Sequence, residues 1–298
     1  MTIYGFKLPG DGHIWIQNMN SSSWSKQKMT QVHRIRLFDY IPSSIVSLSL
    51  NGESEKGNLL VGRSNGYVEI WNICEDVFLQ GSFNVTQDNF LSSVAWCRYN
   101  NQLAIVVSLY SGELILYEYP SLKIHNLISG AGDSIIALAV NKSQDKIAIA
   151  CTNSDSTGYV SVFSTKDDWS FVSKSDDFIS EVISVCFDGN DNIYAGTSLG
   201  KIGRIDAETG RLLMTYDATM GSSPCKVWAL TSVPGGFASG DSRGHVMIWD
   251  SLTATVVSSF ESHQAPILAL AANSLYLWAA GEDPTIATFK YSKNNRSW

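Results

Sequence analysis

Gly244-His245-Val246-Met247-Ile248-Trp249-Asp250 is the stretch of sequence that decides the fold. The polar run Asp241-Ser242-Arg243 precedes it, so Gly244 ends a turn, and the apolar residues that follow are typical of a short β-strand. Five further copies of this turn and strand occur along the chain. They start at Gly66, Gly112, Gly158, Gly200 and Pro284, the last with proline in place of glycine.

The copies recur with one period. The turn positions 66, 112, 158, 200, 244 and 284 differ by 46, 46, 42, 44 and 40 residues, close to the roughly 40–45 residues of a four-stranded propeller blade. A large apolar residue stands five residues after each turn position. These residues are Trp71, Tyr117, Phe163, Ile205, Trp249 and Phe289. The register predicts an equivalent buried strand in every repeat.

A second register keeps the same period further upstream. It consists of a small residue followed by an aliphatic one: Ser47-Leu48, Ser93-Val94, Ala137-Leu138, Ser184-Val185, Ala229-Leu230 and Ala269-Leu270. The innermost strands of a propeller converge on a narrow axis, where small and large residues alternate to fit the taper. The two registers predict an all-β propeller with six recognisable four-stranded blades, either closed by themselves or part of a seven-bladed or tandem propeller.

The repeat also predicts the domain boundaries. The propeller spans residues 31–298, with blades at about 45–83, 91–128, 135–175, 182–218, 227–260 and 267–291. Residues 1–30 do not join the repeat, and we expect them to form a peripheral or flexible extension. The last copy lacks a convincing outer strand, and we expect the strand candidate Val32–Phe38 to complete it.

Composition excludes several functions. The 298 residues carry a net charge of −7, which argues against binding nucleic acid through bulk electrostatics but leaves room for local basic patches. The chain has no apolar run of 18 residues, so we expect no membrane span. Its five cysteines lack metal-ligand spacing and are interpreted as buried thiols in a reducing compartment.

Catalytic chemistry has no support in the residue pattern. The five histidines fall at different repeat phases and are interpreted as turn or surface residues, and the pairs Asp167-Asp168 and Asp176-Asp177 lack a third ligand. We therefore predict no catalytic, cofactor-binding or metal-binding residue and no small-molecule substrate. Four arginines remain as candidates for contacts with a partner or with RNA, the alternative being ordinary solvated charges. They are Arg34, Arg36, Arg63 and Arg243.

Two resemblances carry the functional prediction. The run Ala238–Asp250 resembles the WD-repeat family, whose structural tetrad joins His, Asp, Ser and Trp. Ser239 and Trp249 match that tetrad, whereas Ser242 stands in the Asp position and no His precedes this blade. The opening segment Val32–Ile45 and the later runs Gly62–Gly66 and Phe260–His263 are similar to the N-terminal propeller of the cirhin family.

This second resemblance, over residues 31–298, implies a non-enzymatic scaffold in small-subunit ribosome biogenesis. It implies membership of the UTP-A complex of the small-subunit processome, pre-ribosomal RNA processing and a nucleolar location. The implied partners are other propeller subunits, with RNA reached indirectly or through local basic patches, and no membrane. The alternative is another WD-repeat adaptor, such as a ubiquitin-ligase substrate receptor or a vesicle-coat subunit. A propeller enzyme is a third hypothesis, and it would need a convergent acid or histidine pair.

Overall fold

The computed structural model describes residues 2–7, 13–19, 32–36, 45–51, 57–73, 77–85, 90–131, 133–166, 169–219, 223–292 and 298. All of the secondary-structure elements in this part of the chain are β-strands. Residues 45–290 form six consecutive antiparallel sheets, of which sheets one to five have four strands and sheet six has three. This confirms the all-β propeller with six recognisable blades, each within two residues of its predicted position, although sheet six has three strands in the described residues where four were predicted.

The strands follow one another in chain order within each sheet. Sheets one to three contain β4 (Ile45–Asn51), β5 (Asn58–Arg63), β6 (Tyr67–Ile73), β7 (Val77–Asn84); β8 (Leu91–Tyr99), β9 (Gln102–Leu109), β10 (Leu114–Glu118), β11 (Ile124–Ile128); and β12 (Ser134–Val140), β13 (Lys146–Thr152), β14 (Gly158–Ser164), β15 (Ser170–Lys174). Sheets four to six contain β16 (Val182–Phe187), β17 (Asn192–Thr197), β18 (Lys201–Asp206), β19 (Leu212–Asp217); β20 (Val227–Val233), β21 (Gly236–Asp241), β22 (His245–Asp250), β23 (Val256–Glu261); and β24 (Ile267–Ala272), β25 (Tyr276–Gly281), β26 (Ile286–Lys290).

The first strands of the six sheets, β4, β8, β12, β16, β20 and β24, contact one another in sequence. The predicted register of small and aliphatic residues lies on these strands, as expected for the inside of the ring. Serine in this register also bonds neighbouring strands. Ser47 Oγ accepts a hydrogen bond from Val94 N at 3.0 Å, and Ser184 Oγ donates one to Val227 O at 2.7 Å. Small size and hydrogen bonding together hold adjacent sheets at the centre.

A third register, which the sequence analysis missed, lies on the second strands. The same small-residue position is occupied by Gly62, Ser108, Ala150, Gly196, Gly240 and Ala280, each paired with the small residue of the first strand. A Cβ added at Gly240 would lie 2.6 Å from Ile267 Cγ2 in the next sheet, and one at Gly196 would lie 2.7 Å from Val227 Cγ1. The sheets therefore approach too closely here for a larger residue.

An N-terminal sheet of three antiparallel strands stands beside the six others. It contains β1 (Thr2–Lys7), β2 (His13–Met19) and β3 (Val32–Arg36), and β1 contacts both β4 and β24. The face of sheet one that points away from sheet two is buried, with Val61 0 % exposed. The face of sheet six that points away from sheet five is buried as well, with Ala280 1 % exposed. The N-terminal sheet therefore lies between sheets six and one.

This arrangement differs from two predictions. Strands occupy part of residues 1–30, where we expected a peripheral or flexible extension. In addition, β3 pairs with β2 and not with the last blade, so the segment Val32–Phe38 does not supply the outer strand of sheet six. The period could not identify this sheet, because its strands carry neither of the two registers.

We expect Gly240→Val to lower the free energy of unfolding by about 1–3 kcal/mol, because the new side chain overlaps Ile267 at the closest approach of sheets five and six. Gly81→Val is the matched control, since a Cβ at Gly81 in the outer strand β7 meets nothing within 4 Å. Urea unfolding of both variants gives the comparison. Equal effects at the two positions would contradict the role assigned to this register.

Candidate functional site

Ser239 and Trp249 form a buried pair in sheet five. Trp249 Nε1 donates a hydrogen bond to Ser239 Oγ at 2.8 Å, and the two side chains lie on the neighbouring strands β22 and β21. Both residues are at most 2 % exposed. The indole is thereby buried with its only donor satisfied, which removes the cost of an unpaired N–H.

The turn before Trp249 is held by the carboxylate of Asp241. Asp241, which is 2 % exposed, accepts hydrogen bonds from the backbone N–H groups of Arg243 at 2.9 Å and His245 at 3.0 Å. Arg243 Nη2 donates to Asp241 Oδ2 at 2.6 Å and to Ala218 O at 2.8 Å. Arg243 therefore ties the turn of sheet five to the end of sheet four. The sequence made it a candidate for contact with a partner or RNA, the alternative being an ordinary solvated charge, and the contacts described for its side chain are with the protein itself.

Arg63 lies inside sheet one and not on its rim. The side chain is 2 % exposed, and its Nε donates to Glu69 Oε1 at 2.5 Å. The second oxygen of Glu69 accepts a hydrogen bond from Trp71 Nε1 at 2.9 Å. Val61 stands where sheet five has Ser239, so the acceptor for the indole comes from β6 instead, and Arg63 neutralises it. Burial at this position removes Arg63 from the set of surface contacts.

Sheet six carries the other half of a tetrad. The His263 side chain is fully buried, with Nε2 3.2 Å from Thr285 O and 3.7 Å from Asp283 Oδ1. Asp283 Oδ1 accepts a hydrogen bond from Thr285 N at 3.1 Å. We had interpreted His263 as a turn or surface histidine. It is a core residue, and the His–Asp and Ser–Trp halves of the family pattern are divided between sheets six and five.

The other large apolar residues of the first register also pack within their blades. Tyr117, Phe163 and Ile205 are buried, and Phe289 of sheet six is half-buried. Arg34 and Arg36 occupy alternate positions of β3, opposite Trp15 and His13 of β2. Their side chains lie outside the described part of the structure, so their role as partner or RNA contacts stays a prediction.

Cavities among the described residues include two of interest. The first strands enclose a central cavity of about 780 Å³, lined by apolar side chains such as Leu138 and Trp228 together with polar ones such as Ser184. A polar pocket of about 490 Å³ lies between sheets two and three, where Lys166 pairs with Asp145. Burial raises the pKa of Asp145, but hydrogen bonds from Lys166 and Asn141 outweigh that effect and leave it below its ordinary value. The sequence analysis missed this pocket, because its residues are far apart along the chain.

The described cysteines are free thiols. Burial raises the pKa of Cys97 and of Cys151 to about 12, so both stay protonated at neutral pH. Among the residues that the structure describes, no group of three His, Cys, Asp or Glu side chains could hold a metal ion. The same residues contain no helix able to cross a membrane.

Comparison with known proteins found relatives that share the name U3 small nucleolar RNA-associated protein 4. The chain is 29 % identical to U3 small nucleolar RNA-associated protein 4 of Saccharomyces cerevisiae, over 94 % of its own length and 39 % of the relative. The human homologue of that protein is 29 % identical, over 81 % of this chain and 35 % of the relative. The Schizosaccharomyces pombe protein is 25 % identical over 90 % of this chain. No family model matches the chain. The chain thus spans about two fifths of the length of the curated relatives it matches.

The buried pair in sheet one generates a prediction. We expect Glu69→Gln to lower the free energy of unfolding by about 3–5 kcal/mol, because it removes the carboxylate from a buried ion pair. The double variant Arg63→Met with Glu69→Gln should recover most of that loss, since the amide oxygen still accepts from Trp71. Urea unfolding of both variants measures the difference. A double variant as unstable as the single one would contradict the pairing.

The repeated registers and the ring of antiparallel sheets show a β-propeller whose buried Ser239–Trp249 pair resembles that of the WD-repeat family, and the chain is similar along most of its length to U3 small nucleolar RNA-associated protein 4 of yeasts and mammals.

Proposed function

We propose that the chain is a non-catalytic scaffold subunit in small-subunit ribosome biogenesis, acting in pre-ribosomal RNA processing within the UTP-A complex of the small-subunit processome. The similarity over 94 % of the chain to a protein named for its association with U3 small nucleolar RNA carries this proposal. The names of the relatives also support a nucleolar location.

The structure supports a scaffold in a second way. Three polar side chains at the repeated turns and strands, those of Arg63, Asp241 and His263, are buried and bonded to another side chain or to the backbone. They brace turns and strands, which is a structural role. Rigid sheets that present several surfaces suit the binding of neighbouring propeller subunits.

We expect affinity purification of the tagged chain from growing cells to recover other UTP-A propeller subunits and the leader of the pre-ribosomal RNA. Mass spectrometry and RNA sequencing identify the two. Gly240→Val, which is designed to weaken the ring, serves as the control for retention that depends on the fold. Recovery of ubiquitin-ligase or vesicle-coat subunits instead would overturn the ribosomal assignment and leave the propeller in place.

The net charge of −7 restricts any RNA contact to local basic patches. Arg34 and Arg36, at alternate positions of β3, are the candidates that remain. We expect Arg34→Glu with Arg36→Glu to reduce co-purified RNA severalfold without changing the protein partners, whereas Lys142→Glu, at an exposed turn of sheet three, should leave RNA recovery unchanged. RNA lost equally from both variants would indicate a general charge effect.

A further inference from the structure

The central cavity is accessible from the end of the ring at which each first strand begins. The turns between second and third strands lie at this same end, because successive strands of a sheet are antiparallel. In sheet six, Glu282 N donates a hydrogen bond to Pro266 O at 3.0 Å, which holds such a turn beside the start of β24. Glu282 and Leu268 both line the cavity, and both are exposed, Leu268 by 44 %.

The walls at this end of the cavity are apolar. Ile183, Trp228 and Leu268 are the second residues of β16, β20 and β24, and all three line the cavity. Together with Glu282 they define what we call the cavity mouth. Apolar side chains around a concave space of about 780 Å³ are typical of a binding site, because contact with a ligand removes their exposed surface from water.

The charged residues at the mouth are mainly acidic. Among the described residues that line the cavity, Glu282 is the one that carries a charge. Asp133 and Glu181 directly precede β12 and β16, so they lie at the same end of the ring, and Lys226 lies there too, just before β20. Three carboxylates against one ammonium group give these residues a negative potential, which a cleft with apolar walls concentrates. The mouth therefore favours a cationic occupant over a phosphate or an acidic peptide.

Lys226 shows which chemical group fits the mouth. Its Nζ lies 5.4 Å from the centre of the Trp228 ring, within the range of a cation–π contact. A lysine side chain combines an aliphatic stem, which packs on apolar surface, with an ammonium group, which carboxylates stabilise. A further lysine that entered the mouth would find Ile183 and Leu268 for its stem and Glu282 for its ammonium group.

We propose that the cavity mouth binds a lysine-rich segment of a partner protein. The segment packs its lysine stems against Ile183 and Leu268 and places its ammonium groups near Glu282, Glu181 and Asp133. The cavity has room for more than one side chain, which suits a segment with several lysines. The charge of the mouth selects a basic occupant. That this occupant belongs to a protein rests on the proposed scaffold function.

The first test titrates the full chain with a short fluorescent peptide that alternates lysine with glycine, and it measures fluorescence anisotropy. The same peptide acetylated on every lysine keeps the stems and loses the charge, so it should not bind. We expect Glu282→Lys to weaken binding of the lysine peptide on the order of tenfold or more. Asp176→Lys is the matched control, because it makes the same charge reversal in an exposed loop at the outside of the ring, after β15.

Five results would overturn the proposal. The lysine peptide could fail to bind, the acetylated peptide could bind equally well, or the two variants could weaken binding equally, which would indicate a general charge effect. Spermidine that binds more tightly than the peptide would assign the mouth to a small organic cation. A dimer in size-exclusion chromatography that excludes the peptide would assign it to a second copy. Urea unfolding checks that both variants keep the stability of the wild type.

The second test separates this proposal from the proposed function. We expect purification from cells to recover the same assembly factors with the wild type and Asp176→Lys, and to lose at least one with Glu282→Lys. Identical sets from all three would overturn the partner and leave the scaffold function standing. Recovery of no assembly factor with the wild type would overturn the scaffold function, and the peptide titration would still decide whether the mouth binds lysine.

Discussion

The close approach of neighbouring sheets is the constraint on which the rest of the structure depends. In three of the second strands the next sheet comes so near that a Cβ on Gly62, Gly196 or Gly240 would lie within 2.8 Å of a branched aliphatic side chain, and the equivalent positions of the other three carry only Ser or Ala. The first strands meet beside these positions, where the hydroxyl groups of Ser47 and Ser184 form hydrogen bonds with the backbone of the following sheet. A ring of this diameter closes only if both positions stay small, because packed interiors tolerate little overlap.

Inside this ring, buried polar side chains hold strands and turns in place. One requirement, an acceptor for a buried indole N–H, is met by Ser239 in sheet five and by Glu69 in sheet one. Glu69 brings a charge into the core, and Arg63 compensates it there. The blades can therefore diverge in sequence while each satisfies its buried groups. Because an arginine can compensate a buried carboxylate in this way, arginines in the turns do not by themselves indicate a binding surface.

Much of the fold was determined by the sequence itself, because the period of small and large apolar residues reports strands that repeat locally. The two registers located all six blades, and the resemblance to the WD-repeat tetrad implied the pairing of Ser239 with Trp249. A third register, at Gly62 and its equivalents, had the same period and could have been found in the same way. Only the tertiary structure decided the position of the N-terminal sheet and the burial of Arg63 and His263. Those features depend on which residues meet across strands and sheets, and the charge or polarity of a residue in a sequence does not reveal whether it is buried.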